Sequence, residues 1–261
     1  MLVLLSPAKS LDFESRPVTR KHSQPRLLER ATELIEVLRT KSPDEVASLM
    51  KISDELAVLN VDRYRDFETP VTAKNARPAV LGFAGDVYQG LAASTRFDER
   101  DVTEAQKTIR ILSGLYGVLR PLDLIQPYRL EMGTQLVTDK GSNLYEFWGG
   151  QVSELLAADL AESPSPKVVL NLASQEYFGV VDPRLIPAEI ISPRFEEITA
   201  AGKRRMVSFF AKRARGEMAS WVVTNRVRSL RKLRDFDESG YRYDVEHSTH
   251  RTPVYLRSAA T

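Results

Sequence analysis

The sequence predicts an α/β fold of the mixed α+β kind, in which helices surround a mixed sheet within a single compact domain spanning residues 1–261. Three observations lead to this prediction. The chain of 261 residues is long enough to bury one large core. A wholly apolar run at 2–5 and a mainly apolar run at 168–172 are typical of strands buried on both faces. Other stretches place apolar side chains at helical spacing.

Helices are predicted to follow the first strand. Apolar residues recur at helical spacing over 25–39. Ser42-Pro43-Asp44-Glu45 then marks the start of a second helix, because Ser is a good N-cap, Pro suits the first helical position and Glu at the third completes a capping box. A third helix is expected from Ser53 to about Tyr64. We assign these helices a scaffolding role and no chemistry.

The rest of the chain is predicted to alternate between short strands and helices. Further strands are expected at 79–83, 189–192 and 204–210, where short apolar runs occur. Helices are expected over 98–111, 152–160 and 217–227. Alternating residues in 240–257 predict a hairpin around a polar turn.

Polar or basic residues follow the predicted strands, and a mixed sheet would bring these ends to one cleft. We expect the cleft to be lined by Lys9, Asp86, Glu176, Lys212 and Arg215. The three cations would hold an anion, and Asp86 or Glu176 would act as a general base. The alternative is that Lys9 is merely solvated and that Asp86 is a turn residue.

Within the stretch 109–133, Gly114 and Gly117 lie between apolar runs that we predict to be short helices. Such a turn can point free N–H groups at an anion, with Arg120 and Arg129 as further candidate contacts. The other interpretation is a buried corner in which the glycines only permit tight packing. The spacing alone favours this second interpretation.

Charge is unevenly distributed along the chain. Residues 203–234 contain eleven Lys or Arg and a single acid, Glu217, for a net charge of +10. The whole chain carries +2, so the remainder carries −8. This segregation indicates a polyanionic partner, and it adds Arg213 and Arg226 to the candidate anion-binding residues.

Several kinds of chemistry are absent from the sequence. The chain has no cysteine, which excludes disulfides, iron–sulfur clusters and thiolate catalysis. It contains no P-loop and no dinucleotide-binding glycine fingerprint. Its three histidines, at 22, 247 and 250, define no metal site, and we expect neither a metal nor another cofactor. No apolar run reaches the roughly 20 residues that span a bilayer, so we expect a cytoplasmic protein without membrane contact.

Five motifs that occur in order between residues 6 and 218 resemble a known family. They are SPAKSLDF, FAGDVYQGL, LSGLYGVLRPLDLIQPYRLEMG, NLASQEYF and FFAKRARGEM. Together they resemble the bacterial peroxide-stress protein YaaA family over nearly the whole chain. The resemblance implies a role in limiting free iron during hydrogen peroxide stress. It also implies a DNA-binding protein with an unusual fold, a basic cleft and a helix-hairpin-helix element.

Two functional interpretations follow. In the first, the protein binds double-stranded or structured DNA with little sequence preference, through the basic segment and the Gly114–Gly117 turn. In the second, it is an enzyme or small-ligand protein acting on an anionic, phosphate- or nucleotide-like substrate in the same cleft. The residues barely separate the two, and the resemblance favours the first. A monomer is favoured, and whether any reaction is catalysed stays open.

Overall fold

The computed structural model describes residues 1–163, 166–199 and 202–258. Within these ranges the fold is mixed α/β, which confirms the predicted fold class. The strands are β1 (Leu2–Leu5), β2 (Arg77–Pro78), β3 (Ile109–Ser113), β4 (Gly117–Leu119), β5 (Leu124–Ile125), β6 (Val168–Asn171), β7 (Glu189–Ile191), β8 (Arg194–Ile198), β9 (Arg204–Arg205), β10 (Arg242–Tyr243) and β11 (Val254–Ser258). The helices are α1 (Leu28–Arg39), α2 (Pro43–Met50), α3 (Asp54–Arg65), α4 (Ala79–Gly82), α5 (Asp86–Leu91), α6 (Ala93–Arg96), α7 (Glu99–Thr108), α8 (Leu144–Trp148), α9 (Gln151–Glu162), α10 (Gln175–Phe178), α11 (Ser208–Thr224) and α12 (Leu230–Leu233).

The main sheet has five strands in the order β4-β3-β1-β6-β7. Strand β1 lies at its centre and pairs in parallel with β3 on one side and with β6 on the other. Strand β7 continues the parallel pairing, and only β4 runs antiparallel, at the edge. Every residue of β1 is buried, as the apolar run at 2–5 predicts for a strand covered on both faces.

The order of these strands creates a switch point beside β1. The chain leaves β1 and adds β3 on one side, and later returns to add β6 and β7 on the other side. Connections that diverge in this way leave a crevice outside the carboxyl ends of the two neighbouring strands. In this protein the crevice lies after Leu5 of β1 and Asn171 of β6.

A second sheet has the order β10-β11-β8-β9. Its antiparallel β10–β11 pair, with Tyr243 opposite Tyr255, confirms the hairpin predicted for the tail. Phe195 stacks on Tyr255 at a ring-centroid distance of 5.5 Å and meets Phe236 edge to face. Such aromatic contacts stabilise a core beyond the area they bury, and here they hold the tail against β8.

Helices α2 and α3 are joined by only three residues and form a helical hairpin. The predicted capping box is confirmed at its start. The Ser42 hydroxyl accepts a hydrogen bond from the Glu45 amide at 3.3 Å, and Glu45 accepts one from the Ser42 amide at 2.7 Å. In the turn, Lys51 adopts a left-handed conformation with φ of 53°.

One predicted element is wrong in type, and two others extend over fewer residues than predicted. Residues 79–82 form a helical turn and not a strand, since Arg77–Pro78 supply the strand that pairs with β5. The helix expected over 98–111 ends at Thr108, because Ile109 begins β3 and pairs beside Val3 of β1. Residues 208–210 begin helix α11, so the strand expected over 204–210 is limited to Arg204–Arg205.

The stretch 109–133 also differs from the prediction. It contains the antiparallel β3–β4 hairpin, with Ser113 opposite Gly117, where two short helices were expected. The alternating β-branched residues Ile109 and Ile111 suit a strand, and the centre of the sheet beside β1 is the place where they can be buried. The stretch 109–119 therefore does not form a helix-hairpin-helix element.

Within the described ranges, no helix is both long enough and apolar enough to cross a membrane.

A buried ion cluster joins α9 to the main sheet. Asp159 accepts two hydrogen bonds from Arg26, at 2.8 and 2.9 Å, and one from Arg110 at 2.6 Å. Burial alone would raise the pKa of Asp159, but the hydrogen bonds from Arg110 and Arg26 outweigh it and hold the pKa below its usual value. The carboxylate therefore contributes to stability in its ionised form.

We predict that Asp159→Asn lowers the free energy of unfolding by about 3 kcal/mol at pH 7, because it leaves the buried Arg110 and the half-buried Arg26 without a counter-charge. The wild-type pKa is depressed in the folded state, so this advantage exists above the unfolded pKa and is lost as the pH falls below about 4. Urea unfolding at pH 7 and at lower pH measures it. Asp62→Asn, which removes an exposed pair with Arg65, is the control and should change stability by under about 1 kcal/mol. Equal effects of the two substitutions at pH 7 would contradict the prediction.

Candidate binding cleft

A cleft of about 430 Å³ opens at the carboxyl ends of β1 and β6. It is lined by all five residues that the sequence predicted to converge, which are Lys9, Asp86, Glu176, Lys212 and Arg215. They come from the loop after β1 and from helices α5, α10 and α11. The predicted convergence is confirmed, and it occurs at the switch point of the sheet, where open α/β sheets bind ligands.

Hydrogen bonds fix the floor of the cleft. The Ser6 hydroxyl, directly after β1, accepts a hydrogen bond from the Ser174 amide at 2.8 Å. The Tyr88 hydroxyl donates to the Ser6 carbonyl at 3.0 Å, and burial raises the pKa of Tyr88 so that it stays protonated. Ser174 is in turn the N-cap of α10. The ends of β1 and β6 are thus tied to α5 and α10 through one serine.

Two glycines let helices α5 and α11 cross at backbone contact. A Cβ on Gly216 of α11 would overlap the Val87 carbonyl oxygen, and a Cβ on Gly90 of α5 would overlap the Arg213 carbonyl oxygen. Only glycine permits such an approach. The crossing brings Asp86, at the start of α5, and Lys212 and Arg215 of α11 into the lining of the same cleft.

Two cations in the cleft have no counter-charge. Arg215 is half-buried, and neither it nor the exposed Lys212 forms an ion pair or a side-chain hydrogen bond with any described residue. Burial lowers the pKa of the Arg215 guanidinium from its ordinary value, yet arginine stays charged at neutral pH. Arg215 and Lys212 are therefore free to bind an anion, although the acids Asp86 and Glu176 line the same cleft.

The third predicted cation of the cleft, Lys9, is paired with an acid. Lys9 lies 3.3 Å from Glu131 Oε1, and the same oxygen is 2.9 Å from an Arg129 nitrogen. Arg129 is therefore occupied by Glu131 and does not line the main cleft. Glu131 is the site residue that sequence reasoning missed, although it lies within the longest of the five motifs.

The two candidate bases differ in their surroundings. Glu176 accepts a hydrogen bond from the Gly133 amide at 3.0 Å and is exposed. Asp86 is half-buried at the cleft wall and forms no ion pair or side-chain hydrogen bond among the described residues. Both carboxylates are therefore free to accept hydrogen bonds from a ligand.

Gly114 and Gly117 are buried away from the cleft. A Cβ on Gly114 would overlap the Leu130 carbonyl oxygen, and its own carbonyl accepts a hydrogen bond from the Trp148 indole at 3.0 Å. Gly117 has a φ of 67°, and a Cβ there would press on Leu27 and Trp148. These contacts support the packing interpretation of the two glycines.

Three predicted anion contacts lie elsewhere and are paired. Arg120 bonds to the fully buried Asp123 at 2.9 Å and lines a separate cavity beside Met1, at the amino ends of the strands. Arg213 pairs with Glu217 at 3.2 Å. Arg226 follows the end of α11, about 18 Å of helix beyond Lys212, and pairs with Asp101 at 2.6 Å.

No group of three or more His, Asp or Glu side chains in the described ranges is arranged to hold a metal ion.

The comparisons with known proteins fit this architecture. The family model described as "Peroxide stress protein YaaA" matches residues 1–247. The chain is 51% identical over 259 residues to a protein of Cupriavidus metallidurans, and 49% identical over 257 residues to one of Cellvibrio japonicus, both named UPF0246 protein. Each alignment covers 98% of this chain and 98% of the relative. The chain belongs to the peroxide stress protein YaaA family, which is consistent with a role in the response to peroxide.

We predict that Gly216→Ala lowers the free energy of unfolding by about 3 kcal/mol or prevents folding, because α5 and α11 must separate to admit the methyl group. Chemical denaturation measures the effect. Gly150→Ala is the matched control, since Gly150 has helical dihedral angles and its Cβ would meet only flexible side-chain ends. That substitution should change stability by no more than about 1 kcal/mol. A Gly216→Ala protein as stable as the control would show that the crossing does not hold the cleft together.

Proposed function

We propose that this member of the family acts as a monomer in the cytoplasm and binds double-stranded or structured DNA with little sequence preference. In doing so it helps to limit oxidative DNA damage and free iron. One feature carries the proposal. Residues 203–215, which we call the basic segment, contain six Lys or Arg and no acid. A cluster of cations without interspersed acids is the electrostatic footprint of a nucleic-acid partner.

Most of these cations are free to contact phosphates. Arg204 is held by Glu196 and Asp244, and Arg213 by Glu217. The other four form no ion pair with any described residue, and they are Lys203, Arg205, Lys212 and Arg215. Each phosphate contact releases counterions from DNA and so contributes affinity without reading sequence.

Exposed apolar side chains accompany the cations. Met206 and Phe209 expose 62% and 47% of their surface. The neighbouring ring, Phe210, is instead fixed by Arg257, whose guanidinium lies 4.0 Å from the ring centroid. Phe209 is therefore presented to solvent beside a fixed support, in a place where an unpaired base in structured DNA could stack.

Low sequence preference follows from the burial of α11. From Gly216 to Val223 every residue of the helix is buried, so the helix cannot enter a major groove along its length. Contacts would come from β9 and from the first turns of α11. The cleft, at about 430 Å³, has the size of a small-ligand pocket, so DNA would lie across the exposed surface beside it.

The experiment measures DNA affinity by fluorescence anisotropy over a range of salt concentrations. We expect the combined variant Lys203→Ala, Arg205→Ala and Lys212→Ala to bind a duplex more weakly than the wild type. The slope of log affinity against log salt should flatten by about 0.9 for each DNA phosphate that the variant no longer neutralises.

The matched control removes three exposed cations elsewhere, Arg16, Arg20 and Lys74, and causes the same change in net charge. It should leave the salt slope near that of the wild type. If both triple variants retain the wild-type affinity and slope, or are weakened by the same amount, the basic segment is not the DNA-binding surface.

A further inference from the structure

We propose that the cleft binds a phosphate monoester that carries hydroxyl groups, at a site distinct from the phosphodiester contacts of the basic segment. Such a ligand could be a small sugar phosphate or the 5′-phosphorylated end of a DNA strand, which present the same chemistry. The proposal does not depend on DNA binding by the basic segment. The two share Lys212 and Arg215, which belong to the basic segment and also line the cleft.

The first reason for this proposal is the unpaired charge of Arg215. Placing a cation in a half-buried position costs free energy unless a counter-charge or hydrogen bonds compensate. Two other arginines that are shielded from solvent are compensated: Arg110 pairs with Asp159, and Arg129 pairs with Glu131. Arg215 has no such partner among the described residues. A ligand anion is the missing partner that the cleft can admit.

The number of free charges indicates the kind of anion. Lys9 and Arg129 share the single charge of Glu131, whereas Arg215 and Lys212 are the two cations of the cleft that pair with no acid among the described residues. A phosphate monoester carries nearly two negative charges at neutral pH, because its second pKa is about 6, whereas a phosphodiester or a carboxylate carries one. The guanidinium also binds phosphate through two parallel hydrogen bonds. Two cations therefore match a terminal phosphate better than an internal one.

The acidic residues that line the cleft indicate the chemistry of the rest of the ligand. Asp86 and Glu176 would repel a phosphate, but their oxygens can accept hydrogen bonds from hydroxyl groups. A ligand bound with its phosphate against α11 would turn its hydroxyl groups towards α5 and α10. The volume of about 430 Å³ lies in the range of small-ligand pockets and suits one sugar phosphate or one terminal nucleotide.

The experiment uses isothermal titration calorimetry with ribose 5-phosphate as the probe and ribose as the unphosphorylated comparison. The wild-type protein should bind ribose 5-phosphate and not ribose. Arg215→Gln should weaken binding on the order of tenfold or more, as expected when charge-assisted hydrogen bonds are removed, and Arg215→Lys should keep part of the affinity. Arg231→Gln removes an exposed cation on α12 and should have no effect.

Folding of the variants is checked by thermal unfolding. Because Arg215 is half-buried and unpaired, Arg215→Gln should have a melting temperature no lower than that of the wild type. A loss of binding by a protein of wild-type stability then reports on the site itself and not on a damaged fold.

A second arm identifies the source of the phosphate. Short duplexes with a 5′-phosphate or a 5′-hydroxyl end are compared in the Lys203→Ala, Arg205→Ala background, which retains the cleft. A preference for the phosphorylated end that disappears with Arg215→Gln supports a DNA end as the ligand. Binding of ribose 5-phosphate without that preference supports a small molecule.

The proposal is overturned if the wild type does not bind ribose 5-phosphate at millimolar concentration and shows no preference for the 5′-phosphorylated duplex. It is also overturned if Arg215→Gln binds these ligands as tightly as the wild type. These outcomes are separate from those for DNA binding. A protein that binds ribose 5-phosphate through Arg215 but does not bind duplex DNA would keep the cleft proposal and remove the DNA proposal.

Discussion

The close crossing of helices α5 and α11 is the constraint on which the cleft depends. Gly90 and Gly216 bring the two backbones into contact, and any side chain at either position would overlap a carbonyl oxygen of the other helix. The crossing fixes the position of Asp86 on α5 relative to Arg215 on α11. The serine at the end of β1 then closes the floor, through its bonds with α10 and with Tyr88. Rigid elements, and not loops alone, thus position the polar groups of the cleft.

The arginines of helix α11 are paired unevenly, and the unpaired one lowers the stability of the fold. Arg213, two residues before Arg215, is neutralised by Glu217 one turn later on the same helix. Arg215 lies on the cleft side and finds no acid, although Asp86 and Glu176 line the same space. Uncompensated charges that a fold could have paired often mark a place where a ligand supplies the partner. The same region is continuous with the exposed basic segment through Lys212, so small anions and DNA would meet neighbouring surfaces of one protein.

The sequence predicted the fold class and the convergence of five cleft residues. For Lys9 and Glu176 the stated reason holds, because they follow β1 and β6, which are parallel neighbours. Asp86, Lys212 and Arg215 instead reach the cleft on helices α5 and α11, and not after the strands that were predicted before them. The prediction from sequence failed where a short apolar run is compatible with both a helix and a strand. Ser208 to Phe210 begins a helix and Ile109 to Ile111 forms a strand, against both predictions, since runs of this length have no distinguishing period. The sequence also could not separate Arg215 from Arg129. Whether a cation is paired depends on side chains brought together by the tertiary fold, and Glu131 is one of them.

The central claim is that Arg215 and Lys212 form an anion site at the switch point of the sheet. The most direct measurement is a crystal structure of the protein soaked in tungstate, a heavy-atom analogue of phosphate, with anomalous scattering used to locate the ion. We expect an anomalous peak from tungsten in the cleft, on the order of 4 Å from the Arg215 guanidinium nitrogens, because the tungstate oxygens lie between them at hydrogen-bond distances of about 2.8 Å. Tungstate bound only to exposed cations outside the cleft, with none beside Arg215, would contradict it.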